Sequence, residues 1–385
     1  MRWKHRAGRL LIALVLMMMV GFVPSCGTKN PPQEKLKIGV LATMSGDLAV
    51  SGQNAQMAMD MLVQKINGGG GLSVGGSQYQ IELVYFDDCN NPETAVAGAT
   101  RLINNDNVVA VVGPSFSRLA IPVSKVAEQS GIPMITSSSN PLTTQNKTFV
   151  FRLSFIDPVQ SDVLARLARE QLKAEKAAVL FDITSEYNRG LAEVFKASFE
   201  KAGGKVVAYE SYTPDENKDF SAQIARIKAS GATLLLLPNY QNELVVQAKQ
   251  LQEAGLKLIL LGGDSWGGNE AEPGLDGGYY TALWAQDDPS PENQAFLKEY
   301  RKLYQKEPDM SSALYYDGLG LAIQAMESQG GVTPEAIRQG LAAIKQYKGV
   351  TGKLTYEGLQ DPKRSIPILK VTKGKAIFYK QVDMQ

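Results

Sequence analysis

Two neighbouring stretches, VVAVVGPSFS (residues 108–117) and PMITSSSNP (residues 133–141), follow the same pattern. Each begins as an apolar run and ends in serines beside a glycine, a proline or an asparagine. Short apolar runs bounded by such residues read as strands buried on both faces, so the serines fall at the strand C-terminal ends. Solvated turns are one use for such ends. The other is a site for a small anionic group, because open parallel sheets place ligands beyond their strand C-termini. The helices expected to follow would add unpaired N-terminal amides and a favourable dipole, with charge-assisted hydrogen bonds worth roughly 1.5–3 kcal/mol each.

The same alternation extends along the chain from Leu36. Candidate strands LKIGVLAT, QIELVYF, VVAVVG, IPMIT, AAVLFD, KVVAYESY, TLLLLP and LILLGG are separated by amphipathic helical patterns such as PETAVAGATRLIN and YNRGLAEVFKASFEKAG. Strand–helix alternation with near-continuous apolar strands implies α/β architecture, with parallel sheets covered by helices on both faces. Eight such units exceed one compact open sheet, and FRLSFIDPVQSD (residues 151–162) divides them into two blocks of about four strands. After Gln286 come helical PENQAFLKEYRKLYQKE, SALYYDGLGLAIQAMES and TPEAIRQGLAAI. The strand-like GKLTYE, IPILKVT and KAIFYKQV then must return to complete one block or the other.

The N-terminus reads as an export signal. MRWKHRAGR is basic, LLIALVLMMMVGFV is apolar, and VPSC (residues 23–26) resembles a bacterial lipobox, making Cys26 the expected lipidated first residue of the mature chain. Residues 26–35 would form a polar tether. The formal charge of +1 misleads: residues 1–25 hold four of the 40 Lys and Arg and no acid, leaving 36 basic against 39 acidic residues. A mildly acidic body without a basic run argues against nucleic-acid binding.

Little in the sequence suggests catalysis. The single histidine, His5, lies in the signal segment, and the only cysteines are Cys26 and Cys89. Ser115 and Ser117 therefore lack a histidine base, and G-P-S-F-S is not a nucleophile elbow. No metal-ligand or Walker spacing is present, and no cofactor is expected. Gly68 to Gly71 read as a helix stop, and DDCNNPE as a turn with Asn91 capping a helix that starts at Pro92.

The second block also ends its strands in polar groups: FDITSEYNRG with Tyr187, LPNYQNE with Tyr240, and LGGDSWGG with Asp264. An acid and aromatic rings facing a carboxylate-binding edge make the two halves of a zwitterion site. Asp264 would pair an ammonium, and the rings would enclose an apolar side chain.

These segments, with IGVLATMSGDLAVSGQ at the start and LYYDGLG near the end, resemble in order and spacing the leucine/isoleucine/valine-binding family of bacterial ABC importers. The resemblance implies a type I periplasmic-binding fold: two doubly wound parallel-sheet lobes joined by a three-crossing hinge, with ligand between them. Lobe 1 would comprise residues 36–156 plus 286–363, and lobe 2 residues 157–285 plus 364–385. Ser117 would bind the ligand carboxylate, while Ser138 and Ser139 supply a carbonyl to the ammonium and an amide or hydroxyl to the carboxylate. Asn140 competes with Ser139 for the last carboxylate contact. Asp264 stands where the family often has Glu, Tyr187 and Tyr240 close the second lobe's side, and Phe116 and Tyr316 line the side-chain pocket.

Three features depart from the pattern. Ser51 stands where a tyrosine is frequent, the T-S-S-S-N-P loop is one residue shorter, and Cys89 lacks its family partner near Phe116. The implied function is an extracytoplasmic, lipid-anchored, monomeric receptor delivering a small, aliphatic amino acid to an ABC permease. A sensory protein of the same fold, or a receptor for a small aromatic acid or amide, is the alternative.

Overall fold

The computed structural model describes residues 34–214 and 218–383. The signal segment, Cys26 and nearly all of the tether lie outside them. Fifteen strands and ten α-helices are described, alternating through most of the chain. In order, the first half comprises β1 (Glu34–Ala42), α1 (Ala49–Gly68), β2 (Leu72–Val74), β3 (Ser77–Asp87), α2 (Pro92–Asn104), β4 (Val111–Val112), α3 (Ser117–Ser130), β5 (Met134–Thr136), β6 (Val150–Arg152) and α4 (Asp157–Arg166). Then come β7 (Lys176–Asp182), α5 (Glu186–Lys201), β8 (Lys205–Tyr212), α6 (Ser221–Ser230), β9 (Leu234–Leu237), α7 (Gln241–Glu253), β10 (Ile259–Gly262) and β11 (Tyr279–Thr281). The C-terminal part holds α8 (Pro291–Tyr304), α9 (Met310–Gln329), α10 (Pro334–Ala343), the hairpin β12 (Tyr347–Gly349) and β13 (Gly352–Leu354), then β14 (Ile366–Thr372) and β15 (Lys375–Val382).

Two sheets organise two lobes. The first has the order β2-β3-β1-β4-β5-β6, parallel except for the β2–β3 hairpin. The second runs β15-β14-β11-β10-β9-β7-β8, with a parallel core and two antiparallel C-terminal strands. In each the chain reverses its direction of addition beside a central strand, between β1 and β4 and between β7 and β9, and a crevice opens at such a point. Three connections, residues 153–156, 282–290 and 355–365, pass between the lobes.

The strands are buried because both faces are covered. In the first sheet Ile38, Val40, Val112 and Ile135 join one apolar cluster, and Leu41, Val111 and Met134 pack with helices α2 and α3 in another. In the second, Val179 and Phe181 meet Phe195 and Phe199 of α5, while Leu180, Leu235 and Leu237 meet α6 and α7. The C-terminal strands IPILKVT and KAIFYKQV complete the second sheet. As expected, Asn91 caps α2, accepting from the Thr94 amide at 2.9 Å with Pro92 in the first turn. One local expectation fails. The serine loop after β5 leads into a three-residue 3-10 turn (Pro141–Thr143), not an α-helix, because Pro141 and a short connection return the chain to β6.

Candidate functional site

Gly113 turns the chain out of β4 with φ +89, a conformation open to glycine, and a Cβ there would lie 2.1 Å from the Leu41 carbonyl oxygen. The strand end can therefore press against β1 and aim Ser115 to Ser117 at the crevice. The Thr136 hydroxyl donates to the Pro114 carbonyl (2.5 Å), tying this loop to the one after β5. Ser117 Oγ and Ser138 Oγ are 2.9 Å apart, and Ser138 Oγ and Thr143 Oγ1 2.7 Å apart, so the two serine loops meet through a chain of hydroxyls.

The second loop is held from below by a fully buried Arg152. Its guanidinium donates to the carbonyls of Ser138 (2.9 Å) and Asn140 (3.1 Å) and pairs with Asp361. Ser154 Oγ also donates to the Ser138 carbonyl, and the Asp157 amide donates to the Ser139 carbonyl (2.8 Å).

From the other lobe come Tyr187, Tyr240 and Asp264. The glycines of GGDSW allow close packing: a Cβ on Gly262 would sit 2.0 Å from the Trp266 ring. The chain then turns so that the Tyr187 hydroxyl donates to Asp264 Oδ1 (2.8 Å). Gln160 of α4 donates to the same oxygen (3.0 Å). Burial raises the pKa of Asp264, and the Gln160 and Tyr187 hydrogen bonds work against that rise by steadying the carboxylate. Tyr187 stacks on Tyr240 with centroids 5.1 Å apart, and Phe116 meets Tyr240 edge-on at 5.2 Å. Arg118 lies 4.5 Å above the Tyr240 ring, held by Nε and Nη2 bonds to Asn90 Oδ1.

These groups enclose a cavity of about 50 Å³ lined by Phe116, Ser117, Ser139, Tyr187, Tyr240 and Asp264 among others. Six of the nine residues expected from the sequence thus come together around one space. Ser138 stands behind them in the hydroxyl chain. Asn140 Oδ1 accepts from the Leu142 amide (3.0 Å), while its Nδ2 reaches the Glu186 carbonyl of the other lobe at 3.1 Å. Tyr316 packs on Phe296 at 5.0 Å, away from the cavity.

The first turn of α9 supplies what sequence reasoning missed: Met310, Ser311 and Leu314 line the cavity, with Leu283 from an interlobe connection. The signal was present in Asp309, which forms a capping box with Ser312 and thereby fixes where that turn begins. Gln160 and Asp157 were also missed, although a carboxylate and an amide three residues apart share a helix face.

The cavity's chemistry is bipartite. Serine hydroxyls and a helix N-terminus on one lobe suit a carboxylate, and a buried acid with aromatic walls on the other suits an ammonium. Comparison with known proteins agrees with this architecture. The chain is 31% identical over 259 residues to Leu/Ile/Val-binding protein homolog 3 of Brucella melitensis, covering 67% of this chain and 68% of that one. It is 27% identical over 364 residues to the leucine-, isoleucine-, valine-, threonine- and alanine-binding protein of Pseudomonas aeruginosa, covering 93% and 94%. The crystal structure of the branched-chain amino acid transporter substrate-binding protein LivJ from Streptococcus pneumoniae with isoleucine superposes with a TM-score of 0.83 at 27% identity, covering 91% of this chain and 100% of that one. Residues 35–375 match the periplasmic binding protein family, and the chain belongs to it.

Proposed function

We propose that this protein is the extracytoplasmic receptor of an ABC importer and binds a small aliphatic α-amino acid, branched-chain ones foremost. The observation that carries the reading is the pairing of Ser117 and Ser139 with Asp264 and Tyr187 across one cavity. The ligand carboxylate is taken by the Ser117 and Ser139 hydroxyls and the first amides of α3. Its ammonium is taken by Asp264, and its side chain lies against Leu283, Met310 and Leu314. Residues 36–156 with 286–363 act as one lobe, and 157–285 with 364–385 as the other. Ligand bridging both lobes favours their closed arrangement by its differential affinity. A cavity of about 50 Å³ is too tight for leucine without outward movement of Phe116 and Tyr240, so entry requires the lobes to part. Cys26 carries the lipid that holds the receptor at the membrane surface where its permease resides, and the chain works as a monomer.

The test is a thermal-shift screen of the mature protein without its lipid against the standard amino acids and small carboxylates, since a tight ligand raises stability by mass action. Leucine, isoleucine or valine should give the largest shifts, with calorimetry supplying affinities. Stabilisation by amine-free acids alone would refute the reading.

A further inference from the structure

Asp157 opens α4 directly after the first interlobe connection, is 1% exposed, and its Oδ2 has no hydrogen-bond partner. Its Oδ1 accepts from Gln160 Nε2 at 2.9 Å, and the same nitrogen donates to Asp264 Oδ1 at 3.0 Å. One amide thus bridges two buried carboxyl groups. The amide cannot flip, because its Oε1 accepts from the Asp264 amide (3.2 Å) and the Thr281 hydroxyl (2.7 Å).

The charged and titratable groups around Asp157 come from several elements. Asp264 opposes its ionisation. Arg152 of β6, the Gln160 hydrogen bond and the neighbouring Ser139 favour it. Tyr187 and Tyr240 face it as neutral phenols whose own ionisation its charge opposes. Arg152 is already committed to Asp361 and to two carbonyls, which limits its relief of the pair. Burial is the largest influence and, with the Asp264 charge, pushes Asp157 up to about 7. Burial and the neighbouring Asp264 charge thus favour the protonated form of Asp157 below about pH 7.

We propose that Asp157 is the second acid of the ammonium site, making it selective for amines and releasing a proton when an amine binds. The proposal rests on the amino-acid reading above. A ligand ammonium at Asp264 supplies the positive charge that lets both carboxyls ionise. The proton leaves Asp157 for solvent as the amine arrives, so charge is conserved. A carboxylic acid without an amine would bring a second negative charge and leave the proton in place. Below pH 7 the ligand-free pair holds its proton firmly, and leucine affinity falls by up to about tenfold per pH unit. Above about pH 8 affinity is flat.

The experiment is isothermal titration calorimetry with L-leucine and its amine-free counterpart 4-methylpentanoate, from pH 5.5 to 8.5. Phosphate and Tris buffers, which differ in ionisation enthalpy, report proton exchange. The wild type should release up to one proton per leucine near pH 7 and bind 4-methylpentanoate far more weakly at pH 8. In Asp157→Asn, proton release should vanish, the leucine pH profile should flatten, and discrimination against 4-methylpentanoate should narrow by about tenfold. Leucine binding by the wild type with no buffer-dependent heat overturns the proposal, whether or not the variant folds. Proton release retained in Asp157→Asn overturns the assignment to Asp157, and equal affinity for the two ligands overturns the selectivity. Absence of leucine binding at every pH removes the amino-acid reading itself, and the proposal with it; this outcome is distinct from binding without proton exchange.

Discussion

Replacing Asp264 by Asn separates the charge of this residue from its hydrogen bonds. In the wild type, Oδ1 accepts from Tyr187 at 2.8 Å and from Gln160 at 3.0 Å. An asparagine with its oxygen in that place accepts both, so the local geometry is conserved. Its amide NH2 then takes the other carboxyl position, and an incoming ammonium meets a donor instead of an acceptor. The loss is one charge-assisted hydrogen bond, about 1.5–3 kcal/mol, increased by donor–donor repulsion. A total of about 2–3 kcal/mol corresponds to a roughly 30- to 150-fold weaker Kd. The ligand-free protein should behave oppositely. Asp264 is 7% exposed and burial opposes its ionisation, so the substitution removes a buried charge beside Asp157. Its Tm at pH 8 should be unchanged or higher. Calorimetry with L-leucine and a thermal melt of the same preparation check both halves. Affinity within threefold of wild type would show that Asp264 does not hold the ammonium. A fall of many degrees in Tm would show that its charge holds the fold.

Other parts of the site make separate predictions. Arg152→Met removes the guanidinium that grips the Ser138 and Asn140 carbonyls, and should cost about 3–4 kcal/mol in denaturant unfolding while weakening leucine binding. Gly113→Ala places a Cβ against the Leu41 carbonyl at positive φ and should cost about 3–5 kcal/mol, read as poor soluble yield or a strongly lowered Tm. Asp157 is raised well above its unfolded value, to about 7, so the stability of its neutral form is fully present below about pH 4 and is lost as pH rises through 7. The Tm difference between Asp157→Asn and wild type should therefore grow in the variant's favour from pH 6 to 8, and a constant difference would contradict the raised pKa.

Much of this molecule is readable from residue patterns because the parallel strands are apolar throughout and change character abruptly at their C-termini. That contrast exposed the GPSFS and TSSSNP loops together with Tyr187, Tyr240 and Asp264, while the family resemblance singled out Ser117 and Ser139 within them. Strand β11 escaped notice because Tyr279–Thr281 is only three residues long and follows a Gly-Gly pair that reads as a turn. Helix α9 is apolar nearly all round, so periodicity does not tell which side faces the crevice. Its adjacent tyrosines show the consequence: Tyr315 donates to the Leu41 carbonyl at 2.7 Å, and Tyr316 turns toward Phe296. The Asp157–Gln160 pair looked like connection sequence because its value lies in a long-range contact with Asp264, 104 residues from Gln160.

The Tyr240 ring is gripped on three sides: Tyr187 stacks on it, and Phe116 and Arg118 reach it from the opposite lobe. Its effect falls on departure more than on arrival. On the proposed reading, an amino acid enters while the lobes stand apart and the ring is free of Phe116 and Arg118. Once they close, escape requires that edge contact and cation stack to be broken together. On the proposed reading, Tyr240→Ala should therefore shorten the residence time of the ligand more than it slows capture. A permease that unloads the receptor has to break the grip on Tyr240 in doing so.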